Sequence, residues 1–148
     1  MTSPASALAG RWNIVSWEQR YDDGRIVAPM GKALQGYLMY TEAGYMSVFI
    51  CAGGRQPFAS GLQFGGTQQE KAAAYDTVLS YGGRYEVQGD TVLHHVEVSL
   101  FPNWVGQVQK RRYTLEGDRL AVAATLEAGT PEARQIVLTW ERAPVPTA

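Results

Sequence analysis

Cysteine, histidine and charge are all scarce in this chain of 148 residues. The lone cysteine, Cys51, excludes an intramolecular disulfide, so we exclude a disulfide-stapled secreted scaffold and favour a reducing compartment. Charged residues make up 18% of the chain, and the formal net charge is −1. This balance gives no reason to expect a polyanionic partner such as nucleic acid.

Long apolar runs are missing as well. No segment approaches the ~20 apolar residues that span a membrane. The start of the chain has neither the basic region nor the apolar region of a secretory signal. We therefore expect a cytoplasmic protein without a membrane partner.

Glycine and aromatic residues, by contrast, are plentiful and favour strands and turns. The chain has 16 glycines, and 11% of its residues are aromatic. Alternating apolar and polar residues between turn sequences predict eight strands: residues 11–20, 36–41, 45–51, 84–87, 91–100, 106–115, 119–124 and 134–142. Because most of these strands are joined by hairpin turns, we predict one all-β domain over residues 1–148, an eight-stranded antiparallel up-and-down barrel.

One inserted α-helix is predicted at about residues 68–81. Thr67 and Glu70 form a capping-box sequence, in which each side chain accepts a hydrogen bond from the other residue's backbone N–H. The helix is expected to stop at Gly82 and Gly83. Its predicted apolar face has helical spacing and consists of Ala72, Tyr75, Val78 and Leu79.

Both histidines of the chain lie on a strand that is otherwise apolar. Alternate residues of a strand share a face, so His94 groups with Val92 on the more apolar face and is expected inside the barrel. His95 and Glu97 then face outward. A bulge or a one-residue slip would exchange the two faces, so the sequence leaves open which histidine lies inside.

The next strand supplies a partner for His94. Arg111 shares the more apolar face of that strand with Tyr113, which places the guanidinium beside His94. A buried guanidinium must meet an acceptor, whether a carboxylate, a carbonyl or a ligand anion. As a candidate catalytic pair, His94 would transfer a proton and Arg111 would stabilise negative charge on an oxygen. The alternative is a hydrogen-bonded network that holds the barrel in register.

Metal and cofactor sites are not indicated. Adjacent strand residues point to opposite faces, so His94 and His95 cannot bind one metal ion together. The chain has no Gly-x-Ser-x-Gly sequence and no dinucleotide or metal motif. We therefore expect neither a metal nor a cofactor.

An interior pocket for one small molecule is expected in a barrel of this size. The side chains predicted to shape it are aromatic or lie at the rim: Tyr37, Tyr40, Phe58, Asn103, Trp104 and Tyr113. For Phe58 and Trp104, the alternative is a hydrophobic plug that shields the end of the core.

The chain resembles the bacterial and fungal lipocalin-like domain family over nearly its whole length. The most specific matching segments are His94-His95-Val96-Glu97 and Phe101-Pro102-Asn103-Trp104-Val105-Gly106. Other matches are Gly36-Tyr37-Leu38-Met39-Tyr40-Thr41, Pro57-Phe58, Glu70-Lys71-Ala72, Gly83-Arg84-Tyr85, Arg111 and Gly117-Asp118-Arg119-Leu120. Gly10-Arg11-Trp12 resembles the Gly-x-Trp of lipocalin first strands. This likeness implies that Arg142 stacks on Trp12 and closes one end of the barrel.

The resemblance also implies a barrel that holds a small hydrophobic molecule. Some members sit beside biosynthetic genes, which implies isomerisation or cyclisation of hydrophobic intermediates. We therefore expect binding of such a molecule, or cofactor-free isomerase or cyclase chemistry by His94 and Arg111. The alternatives are a non-catalytic carrier or sensor and an interaction module with a filled barrel. A homodimer is compatible with this size, and the sequence does not decide it.

Overall fold

The computed structural model describes residues 7–147. Nine strands occur in that part of the chain: β1 Gly10–Tyr21, β2 Ile26–Val27, β3 Leu34–Tyr40, β4 Tyr45–Ala52, β5 Val78–Gln88, β6 Thr91–Ser99, β7 Val108–Glu116, β8 Arg119–Leu126 and β9 Arg134–Arg142. Helix α1 covers Gln68–Asp76, and a short 3₁₀ helix covers Pro102–Trp104. Within the described residues, no helix has both the length and the apolar character needed to cross a bilayer.

Eight of the nine described strands close into an antiparallel barrel. Its order is β1-β3-β4-β5-β6-β7-β8-β9, and β9 pairs with β1 to complete the ring. Each strand therefore pairs on both edges, which removes exposed sheet edges. The predicted eight-stranded barrel is confirmed. The additional strand β2 pairs with β1. It was not predicted, because two exposed residues are too few to show an alternating pattern.

The helix prediction was too long. Helix α1 ends at Asp76, and β5 begins at Val78 instead of near residue 84. Val78 and Leu79 pair with β4, so they belong to the barrel wall and not to a helix face. Pairing with β4 overrides the helical spacing of these residues, because strand preference depends on tertiary context.

Gly82 and Gly83 lie inside β5 and not at a helix end. The register between β5 and β6 shifts between these two glycines, which marks a bulge. A Cβ atom on Gly83 would lie 1.9 Å from the backbone oxygen of His95. The glycine is therefore required by the close approach of two strands and not by the end of a helix.

One end of the barrel is closed by Trp12 and Arg142. The Trp12 ring is fully buried, and the guanidinium carbon of Arg142 lies 4.2 Å from the ring centroid. Arg142 also donates to the carbonyl oxygens of Ala7 and Ala9, at 2.9 and 3.0 Å. The indole N–H of Trp12 donates to Leu8 O at 2.9 Å. These bonds tie the segment that precedes β1 to β1 itself, through Trp12, and to the end of β9, through Arg142.

Candidate functional site

Strand β7 provides a polar patch in the barrel interior. Its buried side chains are Gln109 and Arg111, whereas the other barrel strands bury mainly hydrophobic residues. Arg111 is 6% exposed, and its guanidinium donates to Gln109 Oε1 at 2.9 Å and to Lys110 O at 3.2 Å. Within residues 7–147 it forms no ion pair with a carboxylate. A positive charge is thus held in the core without a counter-ion from the described chain.

A chain of three buried side chains lies next to Arg111. His94 extends inward from β6, and its Nε2 atom lies 2.7 Å from the Tyr40 hydroxyl of β3. Its Nδ1 atom lies 2.7 Å from the Tyr81 hydroxyl of β5. Both ring nitrogens of His94 therefore have tyrosine partners.

The charge state of this cluster follows from its burial. Burial, together with the charges of Arg111 and His95, lowers the pKa of His94 to about 3, so the imidazole is neutral at neutral pH. Burial likewise raises the pKa values of Tyr40 and Tyr81, although the charge of Arg111 acts to lower both. Both tyrosines thus stay protonated, and the charge of the cluster is that of Arg111.

A cavity of about 60 Å³ borders this cluster in the barrel. Tyr81, His94 and Arg111 form its polar wall. The apolar wall includes Leu38, Val48, Val122, Ile136 and Leu138. An apolar enclosure with a few convergent polar groups is typical of a small-molecule site.

Three tryptophans also line the cavity: Trp17, Trp104 and Trp140. The indole N–H groups of Trp17 and Trp140 are buried and have no hydrogen-bond partner within the described residues. Unpaired buried donors are rare because each one loses its hydration without compensation. Two of the tryptophans that line the cavity therefore have indole N–H groups that form no hydrogen bond within the described residues.

The cavity adjoins an open groove of about 400 Å³ at the end of the barrel opposite Trp12 and Arg142. Trp17, Leu79, Trp104 and Leu126 line both spaces and so separate the cavity from the groove. The 3₁₀ helix positions Trp104, whose ring packs edge-on against Tyr81 with centroids 5.5 Å apart. We call these four side chains the mouth of the barrel.

The structure brings four of the predicted site residues to this region. The residues that line the cavity are His94, Arg111 and Trp104. Tyr40 does not line it, but its hydroxyl is hydrogen-bonded to His94 Nε2. His95 lies on the outer face, 2.9 Å from Glu86 Oε1.

Tyr37 is placed outside the barrel, so its prediction as a pocket residue is not supported. Strand alternation in β3 buries Leu38 and Tyr40, which turns Tyr37 outward. There its ring stacks on Phe49 with centroids 6.5 Å apart, and Arg11 lies 4.6 Å from the ring centroid.

The other predicted residues lie away from the cavity. Asn103 is exposed on the 3₁₀ helix. Phe58 packs near Gly66 beside α1 and lines a separate groove on the outside. Tyr113 does face inward, but at the closed end of the barrel, where its hydroxyl donates to Gly89 O at 3.3 Å.

Two central residues were not predicted. The predicted helix ends at Tyr81, although Tyr81 and Tyr85 lie four positions apart, a spacing that also fits one face of a strand. Trp17 becomes an inward residue because β1 has a register shift between Ile14 and Ser16. A bulge of this kind reverses alternation and has no clear local sequence signal.

Comparisons with known proteins agree with this geometry. A family model described as lipocalin-like domain matches residues 9–143. The 4'-hydroxy-3'-methoxypropiophenone carrier protein ppsC of Aspergillus oryzae is 35% identical to this chain over 99 residues, which are 60% of this chain and 88% of the relative.

Two solved structures are similar at low sequence identity. An uncharacterized protein from Bacteroides eggerthii is 10% identical, with a TM-score of 0.46 over 92% of this chain and 99% of its own. Rv2717c from M. tuberculosis is 15% identical, with a TM-score of 0.35 over 97% of this chain and 100% of its own. Likenesses this distant carry no argument about function.

Proposed function

The chain belongs to the lipocalin-like domain family, and from this premise we propose that it binds one small, mostly hydrophobic molecule inside the barrel and carries it unchanged. The observation that carries the proposal is Arg111, a buried cation in an apolar enclosure with no carboxylate partner in residues 7–147. A buried charge without a partner is costly to folding. An oxygen atom of a bound molecule would offset that cost.

The relative with a named ligand narrows the choice of molecule. The A. oryzae protein is named as the carrier of an aromatic ketone, 4'-hydroxy-3'-methoxypropiophenone. Such a molecule combines an apolar ring with oxygen acceptors, which suits a mainly apolar cavity beside Arg111 and Tyr81. This ketone is therefore the first ligand to test.

Ligand entry requires movement of the mouth. A cavity of about 60 Å³ is room for a few water molecules, whereas ligand sites usually measure roughly 300–1,000 Å³. The groove outside the mouth measures about 400 Å³, so displacement of the half-buried Trp104 would join the two spaces. We expect binding to be coupled to this displacement.

The hydrogen bonds of His94 favour a carrier over an enzyme that converts its ligand. Both ring nitrogens are already within hydrogen-bond distance of tyrosine hydroxyls, and neither is free to take a proton directly from a substrate. We therefore expect the ligand to be recovered unchanged after long incubation. Cofactor-free isomerisation or cyclisation that is lost in His94→Ala would instead establish an enzyme.

Tryptophan fluorescence tests the location of binding, because three of the four tryptophans line the cavity. We expect a saturable change on titration with 4'-hydroxy-3'-methoxypropiophenone. Val48→Phe fills the cavity and is expected to weaken binding at least tenfold, on the scale of 1–3 kcal/mol for overpacking. Val98→Phe makes the same replacement at an exposed position of β6 and is expected to change nothing.

A filled barrel that acts as an interaction module predicts the opposite result. Wild type would then show no ligand-induced change in fluorescence. Equal binding by Val48→Phe and wild type would place the ligand outside the cavity. Either result would contradict the proposal.

A further inference from the structure

We infer that the cavity recognises its ligand through hydrogen-bond acceptors alone, because the protein groups that line it are arranged to donate. This inference rests on the proposed function and names the class of ligand: an apolar molecule with a carbonyl or ionised phenol oxygen. It follows from the proton positions in the Tyr40–His94–Tyr81 chain and from the composition of the cavity wall.

The proton positions follow from the neutral imidazole of His94. In that state one ring nitrogen donates and the other accepts. If Nε2 carried the proton, the Tyr40 oxygen would accept it, and the Tyr40 O–H would need a second acceptor. Tyr40 is 2% exposed and does not line the cavity, and among the described residues its hydroxyl has no partner besides His94. The geometry therefore assigns the proton to Nδ1, with Tyr40 donating to Nε2.

This tautomer turns Tyr81 into a donor toward the ligand. The Tyr81 oxygen accepts from His94 Nδ1–H, so the Tyr81 O–H is left to donate elsewhere. We therefore infer that the Tyr81 hydroxyl proton is directed into the cavity, since Tyr81 lines it.

The rest of the wall adds donors and no acceptors. Arg111 brings its guanidinium, and Trp17 and Trp140 bring indole N–H groups without partners in residues 7–147. Trp17 and Trp140 are 9% and 2% exposed, so solvent does not satisfy these groups. Among the described residues, the wall has no carboxylate, amide or aliphatic hydroxyl side chain. A ligand oxygen would satisfy donors that the folded chain leaves unpaired.

The chemistry of the ligand follows. A carbonyl or a phenolate oxygen accepts from Tyr81 and Arg111 at once, and Arg111 compensates the phenolate charge. A neutral phenol directed at the same groups would bury its own O–H without an acceptor, which is unfavourable. A hydrocarbon of the same shape would leave the protein donors unpaired.

Matched probes test this inference in the intact protein. Propiophenone and propylbenzene have the same ring and chain length but differ in the carbonyl oxygen. We expect wild type to bind propiophenone about tenfold more tightly, the scale of one hydrogen bond. Tyr81→Phe should remove most of that preference. Tyr113→Phe, at the closed end of the barrel, should retain it.

A second pair of probes distinguishes the two acceptor types. Red-shifted absorption of 4'-hydroxypropiophenone on binding, near pH 6, would identify a bound phenolate. If the absorption does not shift, and 4'-methoxypropiophenone binds as tightly as 4'-hydroxypropiophenone, the carbonyl oxygen is the acceptor. Both outcomes support an acceptor-only site.

The inference and the proposed function fail in different ways. Propylbenzene that binds as tightly as propiophenone, and is excluded by Val48→Phe, would leave the proposed function standing and overturn the inference. Unchanged preference in Tyr81→Phe would also overturn it. Binding of no aromatic probe would overturn both.

The tautomer can be read without any ligand. In wild-type protein with ¹⁵N-labelled histidine, we expect the His94 signals of a neutral ring with the proton on Nδ1. This readout remains decisive even if Tyr81→Phe does not fold. A proton on Nε2 would overturn the assignment and, with it, the donor role of Tyr81.

Discussion

Arg111 keeps a positive charge inside the barrel without a carboxylate partner in the described chain. Replacing an unpaired buried ion with an apolar side chain of similar size is often neutral or stabilising. We therefore expect Arg111→Met to melt within about 2 °C of wild type or higher, while binding of the aromatic ketone falls at least tenfold. Thermal unfolding beside ligand titration measures both effects, with Arg112→Met, exposed on the same strand, as the control.

The opposite pattern would assign Arg111 to the structure of the barrel. In that case Arg111→Met would lose several degrees, and binding by the remaining folded protein would be unchanged.

His94 makes stability depend on pH in a range where carboxylates do not titrate. Its pKa is lowered from 6.5 to about 3 in the folded state, so below pH 6.5 the unfolded chain binds a proton that the folded chain does not. The contribution of neutral His94 to the free energy of unfolding should therefore be fully present above pH 6.5. Below pH 6.5 the free energy of unfolding should fall by up to about 1.4 kcal/mol per pH unit. Urea denaturation between pH 6.5 and 5 measures the slope.

Two histidine variants separate this effect from others. His94→Gln should flatten the slope between pH 6.5 and 5, whereas His95→Gln, on the outer face, should preserve it. A slope that persists in His94→Gln would mean that another group is responsible.

At the residue scale, strand alternation favoured an inward His94 and an inward Arg111, and both are buried on the inner face. It left open the choice between His94 and His95, because a single bulge reverses the faces. Such a bulge does occur on β6 itself, where Gly82 pairs with Val98 and Gly83 with Val96, so that Glu97 is the extra residue. Only the paired structure shows that it leaves His94 inside.

At the scale of elements, α1 depends on its cap more than on its packing. None of its described residues is fully buried. The capping box is present: Thr67 Oγ1 accepts from Glu70 N at 3.0 Å, and Glu70 Oε1 accepts from Thr67 N at 2.9 Å. Glu70 Oε2 also accepts from Ala59 N at 2.9 Å, which ties the preceding loop to the helix.

We expect Thr67→Ala to open α1 locally without unfolding the barrel. Loss of a cap of about 1 kcal/mol should raise amide hydrogen exchange in residues 68–76 about fivefold. The central strands should exchange as in wild type, and Gln69→Ala, within the same turn, serves as the control. Equal acceleration in the barrel strands would show instead that α1 is part of the cooperative core.

The predicted end of the helix was wrong because two patterns overlap in residues 72–81. Ala72, Tyr75 and Leu79 follow helical spacing, whereas Leu79, Tyr81 and Tyr85 also fit a strand. Pairing of β5 with both β4 and β6 decides between these patterns. That pairing is not a local property, so the segment itself could not reveal it.

The whole barrel has one closed end and one end with a mouth. The closed end depends on the contact of Arg142 with Trp12 and on its bonds to two backbone carbonyls. We expect Arg142→Met to lower the free energy of unfolding by about 1–3 kcal/mol, while ligand affinity is unchanged because the cavity lies toward the other end. Urea denaturation and the fluorescence titration measure the two quantities.

Arg119→Met is the matched control for this variant, since Arg119 is exposed at the start of β8. It should change stability by less than about 0.5 kcal/mol. A fall in ligand affinity in Arg142→Met, with stability unchanged, would mean that the closed end takes part in binding.

The sequence by itself determined the eight-stranded barrel, the capped helix start and the inward position of Arg111, because alternation and capping depend on neighbours within a few residues. Tertiary structure decided the helix end, the inward turn of Trp17 and the place of Tyr81 beside His94. These features depend on bulges and on pairing between distant segments, which no local pattern encodes. The donors of the cavity wall come from β1, β5, β7 and β9, and only closure of the barrel brings them together.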